Sequence, residues 1–143
     1  MGVIPASLER GAHLIGAYLD STIGDLGLTQ GEAHVLAQIG AHESVSISVL
    51  HHEFGHKRST LTNILDRLEE RGLVRRRMNR TDRRSILVEL TPSGKRIAGR
   101  VHAALDRLEQ AISDQVQGRD ITGLIAVVQA LETIVHAMRH QEV

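Results

Sequence analysis

The stretch from Lys57 to Leu90 leaves the chain few ways to fold. It reads KRSTLTNILDRLEERG, followed at once by LVRRRMNRTDRRSILVEL. In the first half Leu61, Ile64, Leu65 and Leu68 recur at intervals of three and four, the spacing that lays one apolar stripe along a helix. Arg58, Ser59, Thr62, Asn63 and Arg67 are left facing outward. Gly72 follows the last apolar turn, where a left-handed residue commonly ends a helix. Leu73-Val74 and Ile86 to Leu90 are rich in residues that favour extended backbone, and they flank a polar turn, Asn79 to Arg83. The stretch therefore predicts a helix running directly into a two-stranded ribbon with an arginine-rich tip.

Charge is segregated along the same boundary. The 143 residues carry 17 Lys+Arg and 17 Asp+Glu, but residues 57 to 84 hold ten of the first and four of the second. That segment is net +6 and the remainder −6. A basic module on an acidic body points to a polyanion at one end, with a merely solvated basic hairpin as the alternative on charge alone.

Upstream, Leu8, Ala12, Ile15, Leu19, Ile23 and Leu26 predict an amphipathic helix from Pro5 to about Leu26, opened by the proline and ended by Gly27. Thr29 with Glu32 three residues later reads as a capping box, opening a second helix to Gly40 that buries Ala33, Leu36 and Ile39. Ala41 to Val45 is a short connection. Ser46 then caps a third helix, Ile47 to Phe54, with Ile47, Leu50 and Phe54 inward and Gly55 making the turn into Lys57. Two short helices joined by a tight glycine-containing turn match a helix-turn-helix, a pattern that ordinary helical hairpins share. The arginine ribbon directly after it makes the winged form the more specific reading. Such a helix suits a major groove, and arginines beside it suit phosphates and a minor groove.

Beyond the ribbon, Thr91 reads as a cap, Pro92 as the first helical residue, and Gly94 falls in the first turn. Ile97, Val101, Ala104, Leu105, Leu108, Ile112 and Val116 stripe a long fifth helix to about Gln117, which Gly118 breaks. Asp120 can cap a last helix carrying Ile121, Leu124, Ile125, Val128, Leu131, Val135 and Met138. A small winged module cannot cover the stripes of the first, fifth and sixth helices. Exposed apolar stripes are costly, so a partner is expected, and a second copy about a two-fold axis is the simplest one. The expected fold is mainly α with a small β-hairpin wing. Residues 28–91 would form a winged helix-turn-helix DNA-binding region, and residues 5–27 and 92–140 a helical dimerisation region, in one integrated domain.

Several classes drop out. Without cysteine there is no disulfide, thiol chemistry or cysteine-ligated zinc. There is no Gly-rich phosphate loop and no carboxylate pair in a recognisable motif, so no enzyme is expected; Asp66, Glu69 and Glu70 read as solvated partners of Arg67 and Arg71. No apolar run reaches the length of a membrane span and nothing resembles a signal peptide, which predicts a cytoplasmic chain without a membrane partner. Among the nine histidines, His136 and His140 are spaced i, i+4, as are His102 and Asp106, but no third ligand accompanies them. No metal or cofactor is therefore expected, and protonated His136 and His140 would suit the C-terminal end of a helix dipole.

The runs LTQGEAHVLAQI and SISVLHHEFGHKRSTLTNILDRLEERGLVRRRMNRTDRRSILVELTPSG resemble the MarR family of bacterial transcription regulators (multiple antibiotic resistance regulators). The most specific parts are Leu65 to Leu68, Arg71 to Val74, Asp82-Arg83-Arg84 and Leu90 to Gly94. The resemblance implies a helix in the major groove, a wing arginine at Arg84 in the minor groove, and Asp82 holding the wing. With the outward residues it gives a DNA-binding set of Lys57, Arg58, Ser59, Thr60, Thr62, Asn63 and Arg67 on the helix and Arg80, Arg83 and Arg84 on the wing. It also implies a homodimeric repressor on double-stranded DNA with a pseudo-palindromic operator, released by a small aromatic acid or phenolic effector near Tyr18, His34 and His102. The departures are His51 for a small residue, His56 for an apolar one, and Lys57 for a hydroxyl cap. A zinc-responsive regulator of the same fold and a helical interaction module without DNA binding are the alternatives.

Overall fold

A computed structural model describes residues 2–141. It divides into two compact units, Met1–Leu105 and Asp106–Val143.

In the first unit α1 spans Val3–Ile23, so Pro5 lies within its first turn rather than opening it. The expected last turn tightens into a separate 3-10 turn, Gly24–Leu26, and Gly27 closes it at φ 64°. α2 spans Gln30–Gly40, and Thr29 Oγ1 accepts the Glu32 N–H at 3.2 Å. The capping box is only half made: Glu32 sends its carboxylate to Arg67 Nε, 3.0 Å away, and not back to Thr29. α3 spans Ile47–Phe54, capped by Ser46, and Gly55 turns the chain at φ 63° into α4, Arg58–Glu70.

The wing is larger than a hairpin. β2 is Val74–Met78 and β3 is Ile86–Leu90, but a short β1, Val45–Ser46, pairs with β3 to give the order β1-β3-β2. Val45 faces Val88 and Ser46 faces Leu87 where only a connection was expected. Two residues are too few to show a period. The pairing is nonetheless favourable, because it satisfies one edge of β3 and buries Val45. β2 also runs through Arg75–Met78, where three successive arginines hide a strand from its composition.

All four stripe residues of α4, Leu61, Ile64, Leu65 and Leu68, are buried. They pack with Val35, Leu36, Ile39, Leu50, Val74 and Val88 in one core. A second cluster joins Leu19, Ile23 and Leu26 to Ala33, Ala37, Val101 and Ala104, the last two on α5, Pro92–Ser113.

One junction fixes the wing to the helices on either side. Gly72, at φ 70°, lets its N–H reach Glu69 O and the Leu73 N–H reach Leu68 O, each at 2.9 Å, the double bond pattern that closes a helix with a left-handed residue. Thr91 Oγ1 donates to Gly72 O at 2.5 Å and accepts the Gly94 N–H at 3.0 Å. The backbone of Leu73 passes so close to α5 that a Cβ on Gly94 would lie 1.8 Å from its carbonyl oxygen.

The second unit holds the end of α5 and α6, Gly118–Gln141. α5 stops at Ser113 and not near Gln117; the Gln115 and Val116 N–H groups both turn back on Ile112 O. Gly118 starts α6 instead of only breaking α5, and Asp120 sits in its first turn. From there its carboxylate accepts the Gln117 N–H at 2.8 Å, so it closes the helix start from inside rather than capping it. No α6 residue is buried, and Leu124, Leu131 and Ile134 are 55%, 50% and 58% exposed. The segment also corrects the expectation about membrane-length runs: within Gly118–Gln141 an 18-residue window has a mean hydropathy of 1.6, enough by length and composition to cross a membrane. Its apolar residues are nevertheless spaced by threes and fours with Gln129, Glu132, Thr133 and His136 between them, the arrangement of a helix that packs against protein along one side.

Gly94→Ala should lower stability by about 3 kcal/mol, because the new methyl meets backbone that cannot rotate away. Urea denaturation of the variant would test this, and a midpoint equal to that of the parent would show that α5 and Leu73 are not this close.

Candidate nucleic-acid interface

Arg58, Ser59, Thr60, Thr62 and Asn63 are all exposed on the first turns of α4, opposite its buried stripe. Lys57 takes the N-cap position, but its side chain makes no cap hydrogen bond. The polar face is thus presented by a helix held from behind by four buried aliphatic side chains.

The wing tip is built by its own polar side chains. Asn79 Nδ2 donates to Ser85 Oγ at 3.0 Å, and Asn79 Oδ1 accepts from the Thr81 N–H and hydroxyl at 3.1 and 2.8 Å. Asp82 Oδ1 accepts the backbone N–H of Arg84 at 3.1 Å. The Asp82 carboxylate therefore shapes the turn through the main chain of Arg84, and the guanidinium stays exposed.

The ten basic residues of the 57–84 segment divide into two groups. Arg67 pairs with Glu32, whose side chain is 6% exposed. Arg71 donates to Leu26 O and Gly27 O at 2.8 and 3.2 Å. Arg75 and Arg77 both reach Glu89, at 2.8 and 3.2 Å. Arg76 pairs with Asp66 and, at 2.7 Å, with Glu69. The partners expected within α4 are thus replaced by partners across elements: Arg76 points from the inner side of β2 onto α4 and takes two of the three carboxylates assigned to Arg67 and Arg71, Asp66 and Glu69. Lys57, Arg58, Arg80, Arg83 and Arg84 make no side-chain hydrogen bond or ion pair among the described residues. These five cluster at the start of α4 and at the wing tip. Of the residues assigned to DNA, only Arg67 is committed elsewhere, as a brace between α2 and α4.

The three residues linked to an effector sit on three different helices, α1, α2 and α5. Tyr18 donates its hydroxyl to Ala104 O at 2.8 Å, tying α1 to α5. His34 is half-buried on α2; burial, and secondly the neighbouring His56, hold its pKa below the ordinary value. His102 is exposed and lines a cleft of about 750 Å³ at the end of α2, the wing strands and α5, to which neither Tyr18 nor His34 contributes. Within that cleft, hydrogen bonds from Arg75 first and Arg77 second hold the Glu89 carboxyl below its ordinary range. On α6 the Nε2 atoms of His136 and His140 lie 2.9 Å apart. Among the described residues no cluster of three or more His, Asp or Glu is placed to hold a metal. Sequence reasoning missed Glu89 and the nearness of His34 to His56; the first depends on strand register, and the second had only the unusual His56 in the turn as a signal.

An exposed polar helix beside a three-stranded wing defines a winged helix-turn-helix protein. The MarR family model matches residues 28–86. The HTH-type transcriptional repressor MdtR of Bacillus subtilis is 33% identical over 140 residues, covering 93% of this chain and 88% of MdtR. The HTH-type transcriptional regulator YfiV of the same organism is 31% identical over 111 residues, 75% of this chain and 69% of YfiV. The fold resembles the crystal structure of S. aureus MepR in its DNA-binding conformation, with a TM-score of 0.80 at 18% identity over 94% of this chain and 99% of MepR. The chain belongs to the MarR family.

Because His34 is harder to protonate when folded, the unfolded chain takes up its proton first as pH falls below about 6.5. The contribution of neutral His34 is complete above that pH and is lost as pH falls toward the lowered folded value. His34→Gln should therefore flatten the loss of stability between about pH 7.5 and 5.5. Urea midpoints with the same pH slope in parent and variant would exclude His34 as a contributor.

Proposed function

We propose that this chain is a dimeric, sequence-specific DNA-binding transcription regulator, a repressor of the MarR type that a small molecule releases from its operator. The observation that carries this is the grouping of Lys57, Arg58, Arg80, Arg83 and Arg84, unpaired among the described residues, at the start of α4 and at the wing tip. An ordinary solvated hairpin would not sort its cations in this way. Family membership supports the reading, and so do the repressor MdtR and the MepR structure in a DNA-binding conformation. Residues 28–91 would do the reading, and residues 5–27 and 92–140 the dimerising.

In this reading Asn63 or Arg58 carries base choice, since asparagine pairs bidentately with adenine and arginine with guanine. Ser59 and Thr60, near the helix start, suit phosphates. Arg84 enters the minor groove, with Arg80 and Arg83 beside it, where it senses width and potential. Two such helices about a dimer axis read half-sites about 10 bp apart. With five such cations per protomer, affinity should fall with salt along a log–log slope of as much as about −9.

Selection of bound sequences from random duplex DNA should return imperfect palindromes. Asn63→Ala should relax the preference at matched positions in both half-sites, whereas Ser59→Ala should weaken all sequences alike. Arg84→Ala should weaken binding about tenfold with helicity unchanged. Selected sites without two-fold symmetry, or operator affinity indifferent to Arg84→Ala, would end the assignment.

The apolar face of α6 supports the dimer. Leu131→Glu would place a charge in that seam and should release monomers or unfold the chain. Sedimentation at micromolar concentration is the check: a well-folded monomeric parent would rule out obligate dimerisation.

A further inference from the structure

The 750 Å³ cleft is the second place where arginines converge. Arg75 and Arg77 lie two residues apart on β2, so both project from the outer face of the ribbon, with Val74 and Arg76 on the other. Glu89 lies opposite Arg75 in register and accepts one hydrogen bond from each, in both cases from Nε. The four terminal guanidinium nitrogens make no hydrogen bond among the described residues. One carboxylate therefore holds two guanidinium groups side by side with their outer donors unused. Lys95 adds a third cation and Glu43 a second carboxylate, which leaves the lining net positive. The floor is made of small groups: Gly40, Ala41, Ala98 and Gly99. A Cβ on Gly99 would meet nothing within 4 Å. No phenyl, phenol or indole ring lines the cleft; the rings on its wall are the imidazoles of His42 and His102.

We propose that this cleft binds a small aliphatic oxyanion, a carboxylate or a phosphate, which takes the unused outer donors of Arg75 and Arg77 against the repulsion of the nearby Glu89 carboxylate and rests its carbon body on the glycine and alanine floor. Guanidinium forks match both anions, and the volume is that of a small-molecule site. β2 runs directly into the wing tip that carries Arg80, Arg83 and Arg84. Drawing Arg75 and Arg77 away from Glu89 shifts the strand that positions those arginines, so occupancy changes operator affinity and, by linkage, DNA changes ligand affinity. The regulatory consequence rests on the DNA-binding reading; the binding site does not.

The test titrates the full chain, without DNA, with glutarate, with inorganic phosphate and with 1,5-pentanediol as the uncharged control, followed by calorimetry and amide NMR. Glutarate or phosphate should bind and the diol should not. A response to phosphate alone assigns a phosphate ligand, and a response to glutarate alone a carboxylate. Arg77→Gln should weaken binding at least tenfold. Glu89→Gln should tighten it at least threefold, since the repelling carboxylate is gone. Gly99→Leu should abolish it by filling the floor, in a variant that keeps native helicity and ligand-free operator affinity. Absence of binding by both anions at about 10 mM would overturn the proposal, and so would weaker binding by Glu89→Gln or unchanged binding by Gly99→Leu. In a parallel operator titration, glutarate or phosphate should shift affinity in the parent and not in Gly99→Leu. Ligand binding without any such shift overturns the coupling to the wing. Loss of operator binding under every condition would count against the DNA-binding reading while the direct titration still decides the site.

Discussion

The contact between the Leu73 backbone and Gly94 sets the relation of the wing to the helices. At that point the end of α4, the start of β2, the end of β3 and the start of α5 meet within a few residues. Leu73 O accepts the Thr91 N–H at 3.0 Å, Gly72 O accepts the Thr91 hydroxyl, and Leu73 N–H returns to Leu68 O. Each bond satisfies a backbone group that the end of an element would otherwise leave unpaired. Because the approach leaves no room for a Cβ on Gly94, α5 can sit here only with glycine at that position. The direction in which the ribbon leaves α4 follows from this junction.

Electrostatics then divides the arginines by what lies within reach. A guanidinium near a carboxylate on another element gains a charge-assisted, directional bond, and Arg67, Arg75, Arg76 and Arg77 all take one. Glu32 is the least exposed of these acids. Its burial is tolerable because Arg67 reaches it from the solvent side, and removing that arginine would leave a buried carboxylate without its counter-charge. At the wing tip the acid plays a different part. Asp82 and Asn79 spend their oxygens on backbone N–H groups and a hydroxyl, which shapes the turn and leaves the side chains of Arg80, Arg83 and Arg84 exposed. The same residue type thus serves as internal brace on the strands and as exposed charge at the tip.

Much of this was legible locally. The α4 stripe Leu61, Ile64, Leu65 and Leu68 is buried as its spacing predicts, and the caps at Thr29, Ser46 and Thr91 hold where the sequence places them. Helical periodicity repeats over several turns, and a cap acts over three residues, so both survive a reading along the chain. The misses share a cause. β1 has two residues and exists only because β3 offers an edge. β2 is obscured by three arginines whose partners, Glu89, Asp66 and Glu69, lie on other elements. The pairing of Arg76 with α4 depends on which side of the strand it faces, and a register, unlike a stripe, is a property of two segments together. The stop at Ser113 and the place of Asp120 in the first turn of α6 likewise turn on which backbone groups close the turn, a choice between neighbouring solutions of similar energy.

The α6 helix shows how hydropathy and pattern part company. Its apolar content alone would admit a membrane span, since lipid asks only that side chains be apolar on all sides. A helix that packs on protein asks instead for one continuous stripe with polar residues beside it. Glu132 and His136 lie within the same stretch as Leu131 and Val135, and charged or titratable groups at mid-depth in hydrocarbon are costly unless a pore or partner receives them. Leu124, Val128, Leu131, Val135 and Met138 follow one another by threes and fours, a spacing that lets each rest against the next on a facing helix. In water such a stripe is stable only when covered, and a two-fold seam covers two copies of it with the same contact.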